Sequence, residues 1–306
     1  MDIVFRNFFR SFYMRTGGFV PTRLPGQTVF PGDFFQVHNG EIIVLGNVFR
    51  EGIIDRANVK FEYELKLNPA GWNFSDGVTK PYSGRGSGHG PIDGDFEFSK
   101  QVLAFGKKGD FIFKTNGPES VKITNWSELQ QQLIIKMTQT HYSFRELYIV
   151  TESAAASDWT LAIAGSAKAE LEICADTENS GLVDIFGYHS AKTIQSKDIA
   201  FYHREQKKRP SFFKAKKLMI QEEKTEVLVS SLIAKNESKN DWAGNFFDYD
   251  FCYDAPQELQ ISASSQINAI DLLRANELNP NTALLYFKWV DMNLDDIEKF
   301  FPVYQE

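Results

Sequence analysis

The sequence predicts an α+β fold: a mainly antiparallel β-sheet with surrounding helices, followed by an acidic C-terminal tail or small helical segment. Three observations predict it. Residues 59–67 and 159–173 alternate apolar with polar or charged side chains, the period of a strand with one buried face. Residues 2–15 and 126–137 instead place apolar side chains at helical spacing. The charge is divided unevenly, with a net +2 over residues 1–240 and a net −9 over residues 241–306.

Taken in order, the first helix carries Ile3, Val4, Phe8, Phe9 and Phe12 on one stripe and is stopped by Gly17-Gly18. Arg6 and Arg10 are four apart and share a face. Two readings fit: a helix packed on the core, or one lying at a lipid interface with Phe8 and Phe12 sunk and the arginines among headgroups. Residues 19–50 read as short strands, with Asn39-Gly40 joining 34–37 to 41–45 in a hairpin. In 59–67, Phe61, Tyr63 and Leu65 share a face with Val59 and Leu67, while Lys60, Glu62, Glu64 and Lys66 take the other. Such a strand reaches about 30 Å, enough for a membrane-spanning β-strand; a soluble half-buried strand has the same pattern.

Residues 70–95 read as a Gly-rich loop joining two amphipathic ribbons, the second marked by Phe96, Phe98, Leu103 and Phe105. Its glycines lack the preceding strand, following helix and Lys-Ser/Thr pair of a phosphate cradle. Asn125-x-x-Glu128 opens the second helix as a capping box, and Trp126, Leu129, Leu133, Ile134 and Met137 form its stripe. The segment 159–173 reads as one long strand, with Trp159, Leu161, Ile163 and Leu171 on its apolar face and a return strand at 182–186. A basic run follows: Arg204, Lys207, Lys208, Arg209, Lys214, Lys216 and Lys217. The polar stretch 234–241, containing Lys235 and Lys239, reads as a linker open to proteolysis, with short helices beyond it at 268–276 and 294–301. The chain therefore divides into residues 1–235 and an acidic region, 236–306.

Several classes find no support. No run of apolar residues is long enough for a transmembrane helix, and Arg6, Arg10 and Arg15 break the pattern of a secretory signal. Cys174 and Cys252 are far apart and read as reduced thiols of a cytoplasmic protein. The five histidines show no metal spacing, Asp248, Asp250 and Asp254 lack the glycine and glutamate of a calcium loop, and no catalytic signature appears. The expectation is a non-enzyme without metal or cofactor. The acidic pI and sparse aromatic interleaving favour a membrane over nucleic acid as partner of the basic run.

Two segments resemble gasdermins. Residues 145–152, RELYIVTE, look like the strand before that family's second membrane hairpin, and 197–204, KDIAFYHR, are similar to the strand after it. The opening helix followed by Gly17-Gly18-Phe19-Val20-Pro21 resembles the family's start. The resemblance implies a twisted antiparallel sheet whose two hairpins enter a membrane and, in a homo-oligomer, close a β-barrel pore that kills the cell. It places the hairpin strands at 59–67 with 96–105 and 159–173 with 182–186, with Phe61, Tyr63, Leu65, Trp159, Leu161, Ile163 and Leu171 in the hairpins. Arg6, Arg10, Arg204, Lys207, Lys208 and Arg209 would meet acidic lipid. An activating protease would cut near Lys235 or Lys239, moving the protein from cytoplasm to membrane. Many bacterial members carry an acylated cysteine near the N-terminus; the first cysteine here is Cys174. The acidic region matches neither the large helical inhibitory domain of animal members nor the short bacterial tail. The competing reading is a soluble α+β binding protein whose basic patch contacts an acidic partner.

Overall fold

The computed structural model describes residues 3–22, 27–38, 40–90, 94–140, 144, 146–176, 184–221, 223 and 280–301. After a 3-10 turn at Ile3–Phe5 comes α1 (Arg6–Thr16), closed by Gly17 in the left-handed conformation with its N–H donating to the Tyr13 carbonyl. Then follow β1 (Val20–Pro21), β2 (Asp33–His38), β3 (Glu41–Asn47), β4 (Phe61–Lys66), β5 (Phe74–Asp76), β6 (Val78–Gly90), β7 (Gly94–Phe105), β8 (Phe111–Asn116) and β9 (Glu119–Ile123). Helix α2 (Trp126–Met137) leads to β10 (Leu147–Ala156), β11 (Asp158–Ala164), β12 (Glu170–Asp176), β13 (Lys192–Lys197), β14 (Ile199–Glu205) and β15 (Arg209–Ile220). The tail supplies α3 (Pro280–Tyr286), β16 (Phe287–Asp291) and α4 (Leu294–Glu298).

Every described pairing is antiparallel. The largest sheet runs β1-β15-β10-β2-β3, with β9 and then β4 on the far half of β10 and β16 on the far half of β15. Strand β10 is central, which accounts for its unbroken apolar run. Tyr148 and Val150 face one core with α1 and Phe212, whereas Leu147 and Ile149 face the other with α2 and Leu218.

The remaining strands build two long ribbons. Strands β5 and β6 run against β8 and β7; strands β11 and β12 run against β14 and β13. The ribbons lie side by side through β8–β11 and β7–β12, giving two successive four-stranded sheets, β14-β11-β8-β5 and β13-β12-β7-β6. All four long paths bend at one level: at Gly77 (φ 65°), at residues 106–110, at Lys168 (φ 62°) and at Asp198 (φ 54°). Backbone bonds stitch the bend, Gly106 N–H to Gly77 O at 3.0 Å, Lys168 N–H to Phe105 O at 3.1 Å and Gly165 N–H to Asp198 O at 2.8 Å. Gly77 is required twice over, by its positive φ and because the Asp110 carboxylate lies where a Cβ would sit.

Five expectations are corrected. Residues 59–67 do not pair with 96–105: β4 pairs with β9, and the alternation breaks at Glu64, whose φ is 54°, with a bulge between Glu62 and Leu65. The partner of 96–105 is β6, so the expected Gly-rich loop is largely strand. Its glycines seat aromatic rings, Phe98 over Gly86 and Tyr82 over Gly84, where any side chain would collide. Residues 159–173 are two strands in different sheets, because the chain turns at 165–169. The described residues of 182–186 form no strand; β13 and β14 make the return. Asn125 caps no amide of α2: its Oδ1 accepts from Lys60 N–H at 2.9 Å and its Nδ2 donates to Asn58 O at 2.9 Å, tying the helix start to the chain just before β4. The expected linker 234–241, helix 268–276 and aspartates 248, 250 and 254 lie outside the described residues.

Candidate membrane-active surface

The acidic tail seats on the largest sheet by adding a strand. Residues Phe287–Asp291 pair with Ile220–Lys216, and the ladder is prolonged by Gln221 N–H to Tyr286 O (2.8 Å) and Met292 N–H to Ala215 O (3.0 Å). Apolar side chains alternate inward from this strand. Phe287 meets Phe144, and Trp289 crosses Trp126 while its Nε1–H donates to Gln130 O at 3.1 Å. Beyond β16 the chain turns onto α1, where Phe300 and Phe301 contact Phe9. Phe287, Trp289, Met292, Ile297, Phe300 and Phe301 are all buried. At about 1.5–3 kcal/mol for each large side chain, this burial dominates the attachment.

Charge complementarity overlies the apolar contact. Arg6 and Arg10 do share a face of α1, and both reach Glu298, at 2.6 and 3.0 Å. Lys216 pairs with Asp291 at 2.6 Å, and Lys217 with Asp296 at 2.9 Å and Glu146 at 3.2 Å. Asp296 is held in place by the capping box of α4: its backbone N–H donates to Asn293 Oδ1 and its carboxylate accepts from Asn293 N–H, both at 3.1 Å. Tyr148 donates to Asp296 at 2.8 Å and sits 2.9 Å from Glu146, and Lys299 closes the cluster on Glu146 at 2.8 Å.

Burial would push Asp296 and Glu146 upward, but the lysines overcome it and hold both carboxyls below their ordinary range. Lys217 is likewise raised, burial being outweighed by Asp296 and Glu146. Burial and the same two carboxylates push the Tyr148 phenol up, so it stays a donor.

The two ribbons are the second part of the surface. Below the bend, β11 is buried on both faces, with Trp159, Leu161 and Ile163 in one core and Ala162 and Ala164 in another. Above it, β12 alternates: Leu171, Ile173 and Ala175 are buried, while Glu172 faces outward and pairs with Lys100 at 2.5 Å. The thirteen residues of β6 extend about 43 Å.

The structure distributes the sequence candidates unevenly. Arg6 and Arg10 converge under the tail, as do Lys216 and Lys217. Arg204, Lys207, Lys208 and Arg209 lie around the β14–β15 connection, at the opposite end of β15; Arg204 pairs with Asp158 at 2.9 Å, Lys208 with Glu119, and Lys207 is exposed. The tail therefore covers the far end of the basic run. Phe8 and Phe12 are core residues, stacked among Phe111, Phe113 and Phe212, so the core reading of α1 describes this state. Phe61 and Leu65 are half-buried and Tyr63 is exposed, while Leu171 is fully buried. Lys235 and Lys239 lie outside the described residues. The sequence reading passed over Asp296, Glu298 and Asp184. Asn293 followed three residues later by Asp296 at the start of an acidic helix was the available signal for the first.

No protein-family model and no curated protein matches the chain. Among solved structures it is similar to the cryo-EM structure of the gasdermin A3 membrane pore, with 7% identity and a TM-score of 0.27 over 71% of this chain and 90% of that one. A similarity this coarse adds nothing to the geometry above. No described helix is long and apolar enough to cross a membrane.

Proposed function

We propose that this protein is a tail-inhibited pore former. In the resting, cytoplasmic state the C-terminal strand and helix cover basic side chains of α1 and of the far end of β15. An activating protease cutting within 234–241, near Lys235 or Lys239, unties the tail. Arg6, Arg10, Lys216 and Lys217 then exchange carboxylates for the anionic headgroups of an acidic membrane. Copies assemble there, and the paired ribbons supply the spanning strands. The bent β5–β6/β7–β8 and β11–β12/β13–β14 ribbons are long enough to cross, and β12 already separates an apolar face from a charged one, as a barrel wall requires. Closure into a barrel would also remove the open strand edges that lipid cannot satisfy.

The observation that carries this reading is the convergence of Glu298 and Asp296 on Arg6, Arg10 and Lys217 on the α1 side of the main sheet, with Asp291 meeting Lys216 on its other side. Each exposed lysine or arginine released to an anionic leaflet adds about 1 kcal/mol of attraction. The cut does not by itself remove the tail, which keeps its ladder and apolar contacts, so release has to be measured with vesicles present. The test is flotation of the cut chain with anionic and with neutral vesicles. Binding to anionic vesicles, weakened at least about tenfold by Arg6→Glu with Arg10→Glu, supports the reading. Equal binding by the variant, or none by the parent, overturns it in favour of a soluble protein whose basic face meets an acidic macromolecule.

A further inference from the structure

Residues 184–191, the described part of the connection between β12 and β13, are folded back onto the ribbons. Ile185 and Phe186 are fully buried, and with Ala191 they cover Leu103, Leu171, Ile173 and Ala175, the apolar inner face of the upper sheet. The fold-back is ordered by its own bonds: Phe186 N–H to the Asp184 carboxylate (3.3 Å), Tyr188 N–H to Ile185 O (3.0 Å) and Ala191 N–H to Tyr188 O (3.0 Å). Asp184 pins it to the other ribbon, pairing with Lys80 of β6 at 2.6 Å and with Lys114 of β8. Arg204 adds a bond from β14 to Ala191 O at 3.2 Å.

Two facts separate this arrangement from the tail. No residue of 280–301 belongs to the cluster beneath it, whose members come from the ribbons and this connection alone. The tail's described carboxylates meet α1, β15 and Tyr148 of β10, whereas Asp184 meets β6 and β8. Removing the tail therefore leaves the inner face covered. The closed arrangement also carries a cost: Gln101 is buried on that face with its Oε1 lacking a hydrogen-bond partner among the described residues, its amide satisfied only by Ser83.

We propose that residues 184–191 form a second lock, a clasp in which Asp184 ties the second ribbon to the first and keeps the inner face away from lipid after the tail has gone. This rests on the pore-forming reading. Tail release governs arrival at the membrane, and clasp opening governs insertion. Lys80 and Lys114 are the hinge of the switch, because an anionic headgroup competes with Asp184 for both. The carboxylate fits the role: burial pushes it up, but the two lysines hold it below its ordinary range, so it is fully charged near neutrality.

The test uses the 306-residue chain, uncut and cut within 234–241, with Asp184→Asn. That variant keeps the side chain's size and its acceptor for Phe186 N–H. Three quantities are read: amide exchange of a peptide covering 184–191 in the uncut chain, flotation with anionic vesicles, and the lag before dye release. The expected result is faster exchange in the variant, no leakage before the cut, unchanged flotation after it, and a lag shortened roughly three- to tenfold. Unchanged exchange, an unchanged lag, or leakage from the uncut variant would each overturn the clasp. If no cut chain leaks at all, the pore-forming reading has failed. Exchange then decides the clasp alone, faster exchange supporting it and unchanged exchange removing it.

Discussion

Asp296 sits where the tail's charge and its packing meet, between Tyr148, Lys217 and Lys299, while Glu298 makes a more exposed contact with Arg6 and Arg10. The two carboxylates should therefore respond differently to removal. Asp296→Ala deprives the nearly buried Lys217 of one partner and leaves Glu146, an expected loss of about 1–3 kcal/mol. Glu298→Ala should cost under about 1 kcal/mol. Denaturant titration followed by Trp289 fluorescence reads both. The same cluster gives a pH dependence. Asp296 and Glu146 titrate lower in the folded chain than when free, so their stabilisation is complete above the ordinary carboxylate range of about 4 and is lost as pH falls through the depressed values. Docking should weaken in acid, and Asp296→Asn should flatten that profile; an unchanged profile would contradict the role given to Asp296. At this scale the sequence was least legible. Its arginines were in the right place, but Arg6 lies 292 positions from the Glu298 they share, and no local pattern pairs them.

Elements were more legible, for a physical reason. Helix α1, helix α2, the β2–β3 hairpin and α4 each follow from local spacing and stop signals. The ribbons did not. Odd parity makes 159–173 look like one strand, but the turn at 165–169 exchanges the faces, with Leu161 and Ile163 in one core and Leu171 and Ile173 in the other with Ala162 and Ala164, and parity cannot report which partner a strand takes. The glycines of β6 misled in another way: they read as a loop, whereas they make room for Tyr82 and Phe98. Gly77→Ala should accordingly cost well over the usual 1 kcal/mol of a helical glycine, since both φ and the Asp110 carboxylate oppose it. Thermal unfolding measures that directly. Phe300→Ala should cost about 3–5 kcal/mol and loosen the tail without touching the ribbons.

For the whole molecule, the charge asymmetry of the sequence corresponds to a contact: part of the acidic tail meets Arg6, Arg10, Lys216 and Lys217 and is joined to the main sheet as a strand. The described part of the tail is held in register by the ladder and in place by aromatic side chains, so under the proposed function its removal needs both a cut and a competing surface. The deciding measurement is dye release from anionic vesicles by the 306-residue chain before and after limited proteolysis, with the fragments mapped by mass. The expected result is silence from the intact chain and leakage once the cut falls within 234–241. Leakage from the intact chain, or silence from a folded, cut chain that has shed its tail, would contradict the account.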